Sequence, residues 1–313
     1  MVIVNLVLFL IFLVILIKGA DYAVRYSSRL AKIMSFPEFI VSFFIVAFIS
    51  VLPEGTISLI SALRGEPGLG LGTLIGSNVA DLTLVFGIVS LFSYSGIKVK
   101  SSILSNNLFY IILLFFPLLL GIDGYYSRID GAVLLAIGMM FYYKLYLDSR
   151  KFHKKFNNTS KGSFVVNLAL LILSLIVIII SAYLTVTYSV SFAYDLKIPA
   201  VIVGGTILAL GTCLPELIFS VKAVRKNRDS LALGDLLGTV ITDATILFGI
   251  VALISPFKYQ ISSIYLLTGA MFVAGLLVIY FMKSERKLSK LEGVLLLLGY
   301  ILFLFLQFFV SKF

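Results

Sequence analysis

The chain has 313 residues, 60% of them hydrophobic and 13% charged, with a formal net charge of +10 and a mean hydropathy of +1.12. A soluble protein of that composition would expose far too much apolar surface, and the apolar residues fall into repeated runs of about 20 residues, the length that crosses a bilayer. The sequence reads as an all-α polytopic membrane protein, and its positive charge as loop charge that orients the chain, with no nucleic acid as partner.

Ten spans are predicted, at roughly 2–18, 38–61, 70–95, 105–121, 130–147, 163–187, 198–221, 231–255, 262–282 and 291–311. The first is apolar from its second residue, with no basic leader or cleavage pattern, and is expected to be a span and not a removable signal. The second carries Ser50-Val51-Leu52-Pro53-Glu54, and the third carries Gly72, Gly76-Ser77-Asn78 and Asp81. The fourth and fifth complete a first unit, 1–148, and a Lys- and Asn-rich stretch, 149–162, reads as a solvated linker. In the second unit, 163–313, the seventh span carries Thr212-Cys213-Leu214-Pro215-Glu216. The eighth carries Gly234 and Gly238-Thr239-Val240-Ile241-Thr242-Asp243. The two motifs, 47–81 and 209–243, lie 162 residues apart, and in each copy Glu and Asp are 27 residues apart. At the same offset Asp130-Gly131 matches Glu292-Gly293. Asp235 falls where the first copy has Thr73, and is expected near a helix start, where an acid favours the dipole.

Charge sets the topology. The odd-numbered loops hold 20 of the 25 basic residues, leaving Arg64, Arg128, Lys197, Lys258 and Lys312 to the other side. By the positive-inside rule the odd loops are cytoplasmic and both termini lie outside, in the plasma membrane. Five spans per unit is an odd number, so the units face opposite ways. The expected fold is ten transmembrane helices as two inverted five-helix repeats, the plan of alternating-access transporters with a midplane site.

The duplicated acids suit a cation. An ionisable group at a helix centre costs roughly 2.5–3.5 kcal/mol on the insertion scale, so four at matching positions are not there for stability. Pro53 and Pro215 free the carbonyls of Ile49 and Gly211 from helix bonding, tolerable at that depth only where they face a cavity or a partner. Each proline precedes a carboxylate and has a hydroxyl residue three positions before it, Ser50 or Thr212, giving the oxygen-rich environment that hard cations such as Ca²⁺ select. Ser77 and Asp81 share a helix face, as do Thr239 and Asp243. Glycines spaced four apart let the helices approach closely. Cys213, the only cysteine, permits no internal disulfide or cysteine cluster, and His153, the only histidine, no His-rich metal site.

Both motifs resemble the α-repeats of the sodium/calcium exchanger family within the calcium:cation antiporters. Gly211-Thr212 with Leu214-Pro215-Glu216 carries the likeness in one half, and Leu52-Pro53-Glu54 with Gly76-Ser77-Asn78 in the other. The resemblance implies Ca²⁺ antiport, with no cofactor. It implies Glu54 and Glu216 as principal Ca²⁺ ligands, joined by oxygens at Ala47, Ser50, Ala209 and Thr212, with Ser77, Asp81, Thr239 and Asp243 completing the ion sites. The sequence departs from the family where a serine precedes Leu-Pro-Glu: Val51 and Cys213 stand there. Ile49 replaces a glycine, and Asp81 stands where sodium-coupled relatives often have Asn. Loss of those hydroxyls weakens the case for Na⁺, since a thiol suits a hard cation poorly. Four clustered carboxylates cannot all stay charged when empty and would take up protons as a coupled set. Na⁺ and H⁺ both stand as counter-ion, and another divalent ion such as Mn²⁺ or Mg²⁺ is not excluded as substrate.

Two other classes compete. A cation channel would also line a path with acids, but a one-chain inverted duplication with broken helices favours an antiporter. An intramembrane aspartyl protease is suggested by Ala232-Leu233-Gly234-Asp235, yet gives the doubled Leu-Pro-Glu no role. The expected partners are the lipid bilayer and small inorganic cations; the oligomeric state is open, a monomer included.

Overall fold

A computed structural model of the protein describes residues 2–33, 51–99, 107–149, 163–258, 261–284 and 286–310. Part of the expected second span, with Ala47 and Ser50, and nearly all of the 149–162 linker lie outside these residues. In chain order the helices are α1 (Val2–Ile33), α2 (Leu52–Leu63), α3 (Pro67–Ala80), α4 (Phe86–Phe92), α5 (Asn107–Leu120), α6 (Arg128–Ser149) and α7 (Phe164–Leu196). They continue as α8 (Ala200–Val203), α9 (Ala209–Thr212), α10 (Leu214–Val224), α11 (Asp229–Ile241), α12 (Phe248–Ile254), α13 (Ile261–Ser284) and α14 (Lys290–Val310). Three π-helical turns, Asp81–Val85, Gly204–Leu208 and Thr242–Leu247, join α3 to α4, α8 to α9 and α11 to α12. Among the described residues, seven continuous helical stretches are long and apolar enough to cross a membrane, from Val2–Ala23 to Lys290–Phe309, and Leu52–Leu63 and Tyr110–Leu120 are shorter apolar helices. With α6, about 33 Å long at the helical rise, these segments occupy the ten predicted places.

Two helices overrun their expected ends. α1 continues past residue 18 to Ile33, because 19–33 offers good helix formers and no proline. α7 continues past 187 to Leu196, where Lys197 stops it in the left-handed conformation (φ 57°). Much of the basic loop expected at 18–37 is therefore helix, and its cations project from α1.

α1 and α7 pack antiparallel along their length. Asn5 donates to Asp195 at 2.8 Å, Phe9 stacks on Phe192, and Phe12 on Tyr188. Their shared apolar cluster (Phe9, Leu13, Leu16, Ile178, Ala182, Val186) is separate from the main one, which runs from Ala62 to Phe303 through α3, α4 and α10–α14. The chain thus forms a central body and a two-helix flank.

The central body shows the duplication in its contacts. β1 (Ile97–Lys98) pairs antiparallel with β4 (Lys287–Leu288), and β2 (Tyr125–Tyr126) with β3 (Phe257–Lys258). Each tiny sheet joins one half to the other, and each links loops that the charge rule puts on one side. Such strands were absent from the sequence reading, since two residues carry no period. The matched pairs Asp130-Gly131 and Glu292-Gly293 now have a physical basis. Ser127 N and Oγ donate to Asp130 Oδ2 at 2.8 and 2.7 Å, and Asp130 N donates to Ser127 Oγ at 3.2 Å. Ser289 and Glu292 repeat the arrangement at 2.7, 2.7 and 3.3 Å. Both are capping boxes that satisfy the orphan N–H groups of a helix start. The glycine that follows is a crossing point: a Cβ at Gly131 would stand 2.7 Å from the Gly249 carbonyl oxygen, and one at Gly293 3.0 Å from that of Gly87.

Candidate functional site

The second motif builds a broken helix, α9 followed after one residue by α10, and in the first motif α2 begins at the equivalent place. Val51 precedes α2 and Cys213 precedes α10, each in a near-helical turn with the proline in the first turn of the new helix, where its missing N–H costs nothing. The two helix starts are closed alike: Gly55 N donates to Val51 O at 2.9 Å, and Leu217 N to Cys213 O at 3.0 Å. Glu54 and Glu216 therefore sit in the first turn of a helix, at the end whose free N–H groups and dipole favour an anion.

Asp81 and Asp243 fall at the π-helical turns that follow α3 and α11. A π-turn inserts a residue, re-aims the helix face, and is frequent at functional sites. The period of the sequence holds no sign of it. α3 crosses α8 and the following π-turn closely, because a Cβ at Gly76 would lie 2.6 Å from Gly205 Cα and one at Gly72 would overlap the Val201 carbonyl oxygen.

The four acids lie buried where the halves cross. Glu54, Asp81, Glu216 and Asp243 are each 0% exposed, as are Ser77, Thr212 and Thr239, and Ala209. Asp81 lies within electrostatic reach of Glu54, Glu216 and Asp243, as does Glu54 of Glu216 and Asp243. Both oxygens of Glu54, Asp81 and Glu216, and one of Asp243, accept no hydrogen bond among the described residues. The other Asp243 oxygen receives a long contact, 3.4 Å, from Ser77 Oγ, which also reaches Leu74 O at 3.0 Å. Buried charge without partners is costly, several kcal/mol per ion even after relaxation. The helices α2, α3, α4, α9, α11 and α12 contain no Lys or Arg, and α10 has only Lys222 in its last turn. Carboxylate oxygens are the donors that hard cations select. Among the described residues, no group of three or more acidic, His or Cys side chains is placed to hold a metal ion together.

Of the expected ligands, Glu54, Ser77, Asp81, Ala209, Thr212, Glu216, Thr239 and Asp243 thus fall in the buried crossing zone, while Ala47 and Ser50 lie outside the described residues. Ala209 O accepts from Cys213 N and from Thr212 Oγ1, both at 3.2 Å. Cys213, which stands in place of a serine, directs its thiol to Ser77 O at 3.4 Å and so ties the second hinge to the first half.

Two features escaped the sequence reading and one reverses it. Asn78 donates to Val240 O at 3.1 Å, its own counterpart at the 162-residue offset, and lies 3.4 Å from Met271 Sδ. It pins α3 to α11 across the symmetry axis, and the offset itself was the available signal. Tyr142 on α6 bonds the Thr242 hydroxyl beside Asp243, with nothing in its surroundings along the chain to mark it. Asp235 is not a dipole residue at the helix start. Asp229 occupies that first turn, and Asp235 is fully buried, with Ser220 Oγ 3.5 Å from Oδ2, within electrostatic reach of Glu216.

The family profile described as sodium/calcium exchanger protein matches the chain twice, over residues 4–146 and 166–309. Sodium/calcium exchanger MaX1 of Methanosarcina acetivorans is 27% identical over 99% of this chain and 100% of that one. Putative antiporter CaxA of Alkalimonas amylolytica is 28% identical over 96% and 97%. A solved structure of the sodium-calcium exchanger NCX_Mj superposes with a TM-score of 0.70 at 30% identity, over 96% of this chain and 98% of that one. The doubled profile match covers most of the chain, so the protein belongs to the sodium/calcium exchanger family, as a multi-pass membrane transporter and not an enzyme.

Proposed function

We propose that the protein exchanges Ca²⁺ for Na⁺ or H⁺ by alternating access around Glu54, Asp81, Glu216 and Asp243. The observation that carries this reading is the group of four fully buried carboxylates with seven oxygens left without a hydrogen bond among the described residues. Ser77, Thr212, Thr239 and the Ala209 carbonyl supply neutral oxygens, joined by Ser50 and Ala47 as the family resemblance implies. Each half, 1–148 and 163–313, presents one carboxylate in the first turn of a helix, and the 149–162 stretch links them on the cytoplasmic side with both termini outside, in the plasma membrane.

Exchange follows from the cost of emptiness. Four bare carboxylates at that depth oppose the passage of an unloaded site, so the protein changes sides only when cations or protons neutralise it. One divalent ion can be replaced by two monovalent charges, which makes coupling a consequence of electrostatics. The small sheets and glycine crossings hold the halves in register, and the α1–α7 flank, which packs on Ile57, Leu69, Val203 and Leu208 through a cluster of its own, is the part that shifts against them.

The counter-ion turns on positions 51 and 213. Neither Val51 nor Cys213 offers a hydroxyl, and the Cys213 thiol is engaged with Ser77 O, which supports proton coupling; family membership supports sodium. Reconstituted vesicles given ⁴⁵Ca²⁺ and an outward gradient of either Na⁺ or H⁺ separate the two. Uptake under one gradient names the counter-ion, and uptake under neither overturns the antiport reading. If protons drive uptake, Cys213→Ser with Val51→Ser is expected to add a sodium-driven component.

A further inference from the structure

The last turns of α1's apolar run border two cavities that share lining residues. One, of about 400 Å³, opens between α1 and α10 and is lined by Lys18, Asp21, Tyr22, Arg25, Pro215 and Lys222, among others. Three cationic side chains there face one carboxylate. The other, of about 480 Å³, runs between α1 and α7 against apolar walls that include Val14, Leu170, Leu173 and Val177, and it too is lined by Lys18 and Tyr22. A basic chamber and an apolar groove therefore meet at the same two residues.

Depth matches a lipid. From Val2 to Lys18 the helix rises about 24 Å, so Lys18 stands near the far edge of a hydrocarbon core about 30 Å thick. Asp21, Tyr22 and Arg25 follow at headgroup level. Tyr22 is half exposed and stacks on Tyr26, 6.2 Å between ring centroids, as interfacial tyrosines do. Basic pockets between transmembrane helices are where anionic headgroups bind.

We propose that an anionic phospholipid occupies this seam, its phosphate between Lys18, Arg25 and Lys222 and one acyl chain in the groove between α1 and α7. Free phosphate would satisfy the chamber alone and leaves the groove unexplained. The occupant touches both the flank and Pro215, the residue before Glu216, so it sets how α1 rides on the second hinge. That consequence rests on the transport reading; the binding does not.

Native mass spectrometry of the purified full-length chain, with phosphatidylglycerol or phosphatidylcholine of matched acyl chains, tests the site without any transport assay. Phosphatidylglycerol is expected to bind at least about tenfold more tightly. Combining Lys18→Gln, Arg25→Gln and Lys222→Gln should remove the preference while thermal unfolding in detergent stays unchanged, and Leu173→Trp should weaken phosphatidylglycerol by filling the groove. Equal binding of the two lipids, or a preference that survives the triple variant, overturns the proposal. Release of phosphatidylglycerol by millimolar inorganic phosphate, with Leu173→Trp silent, overturns it in favour of a headgroup-only anion site.

Discussion

The two halves differ least at the hinges and most one turn away. Gly55 and Leu217 close the starts of α2 and α10 with equivalent bonds, and Glu54 and Glu216 are equally buried. Beyond them the halves part. Ser58 donates to Gly70 O at 2.8 Å and Thr73 to Leu69 O at 2.9 Å, both neutral backbone contacts. Their counterparts, Ser220 and Asp235, lie 3.5 Å apart and bring a fifth buried carboxylate toward Glu216. The duplication thus preserves the groups that must serve from both sides of the membrane and lets their supports diverge. The half with the additional buried acid is the one whose hinge carries the thiol and borders the basic chamber.

The comparison is broken most directly at the hinges. Glu54→Gln and Glu216→Gln should each lower Ca²⁺ uptake by about 100-fold or more, the scale of removing one buried charged partner. Equal losses support a shared site; a silent Glu216→Gln beside an inactive Glu54→Gln would show that the ion is held by one half alone. Ca²⁺ uptake by vesicles of matched protein content decides.

The next effect is on stability. Gly131→Ala and Gly293→Ala both place a methyl within about 3 Å of a partner backbone oxygen, and overpacking of that kind costs about 1–3 kcal/mol. Both should lower the unfolding temperature in detergent. Gly299→Ala is the control: a Cβ there meets nothing within 4 Å, and gain of helix propensity makes it neutral or stabilising.

Much of this was legible from spacing. The offset of 162 located both hinges, and the paired Asp-Gly and Glu-Gly steps marked crossings whose glycines pack backbone against backbone. What stayed hidden needed three dimensions. A π-turn changes hydrogen bonding without changing composition, so the aim of Asp81 and Asp243 cannot be read from period. Asp235 follows the same i+4 grammar as an exposed acid, and only the packing of α10 over α11 buries it. The helical course of 19–33 was masked by its charges, which read as loop although they sit on good helix formers.

Asp235 therefore tests whether divergence matters. Asp235→Thr makes the second half resemble the first and removes a charge that reaches Glu216. Apparent Ca²⁺ affinity is expected to fall about fivefold, roughly 1 kcal/mol at the effective dielectric of a protein interior, with maximal uptake retained. Asp235→Asn should do the same while keeping the contact to Ser220. If the Asn variant is normal and the Thr variant is not, Asp235 acts by packing and its charge is irrelevant to the ion.

The smallest effect separates symmetry of support from symmetry of function. Ser127→Ala and Ser289→Ala each remove the hydroxyl from one capping box, a loss of about 1 kcal/mol. The two boxes share their geometry, so the two variants should unfold at nearly the same temperature, slightly below the parent. Neither residue lies near the carboxylates, and both variants should retain the parent's Ca²⁺ affinity. A clear affinity change in one of them alone would mean that the start of α6 or of α14 moves with the hinge, and the central body would then be two moving halves in place of one frame for a sliding flank.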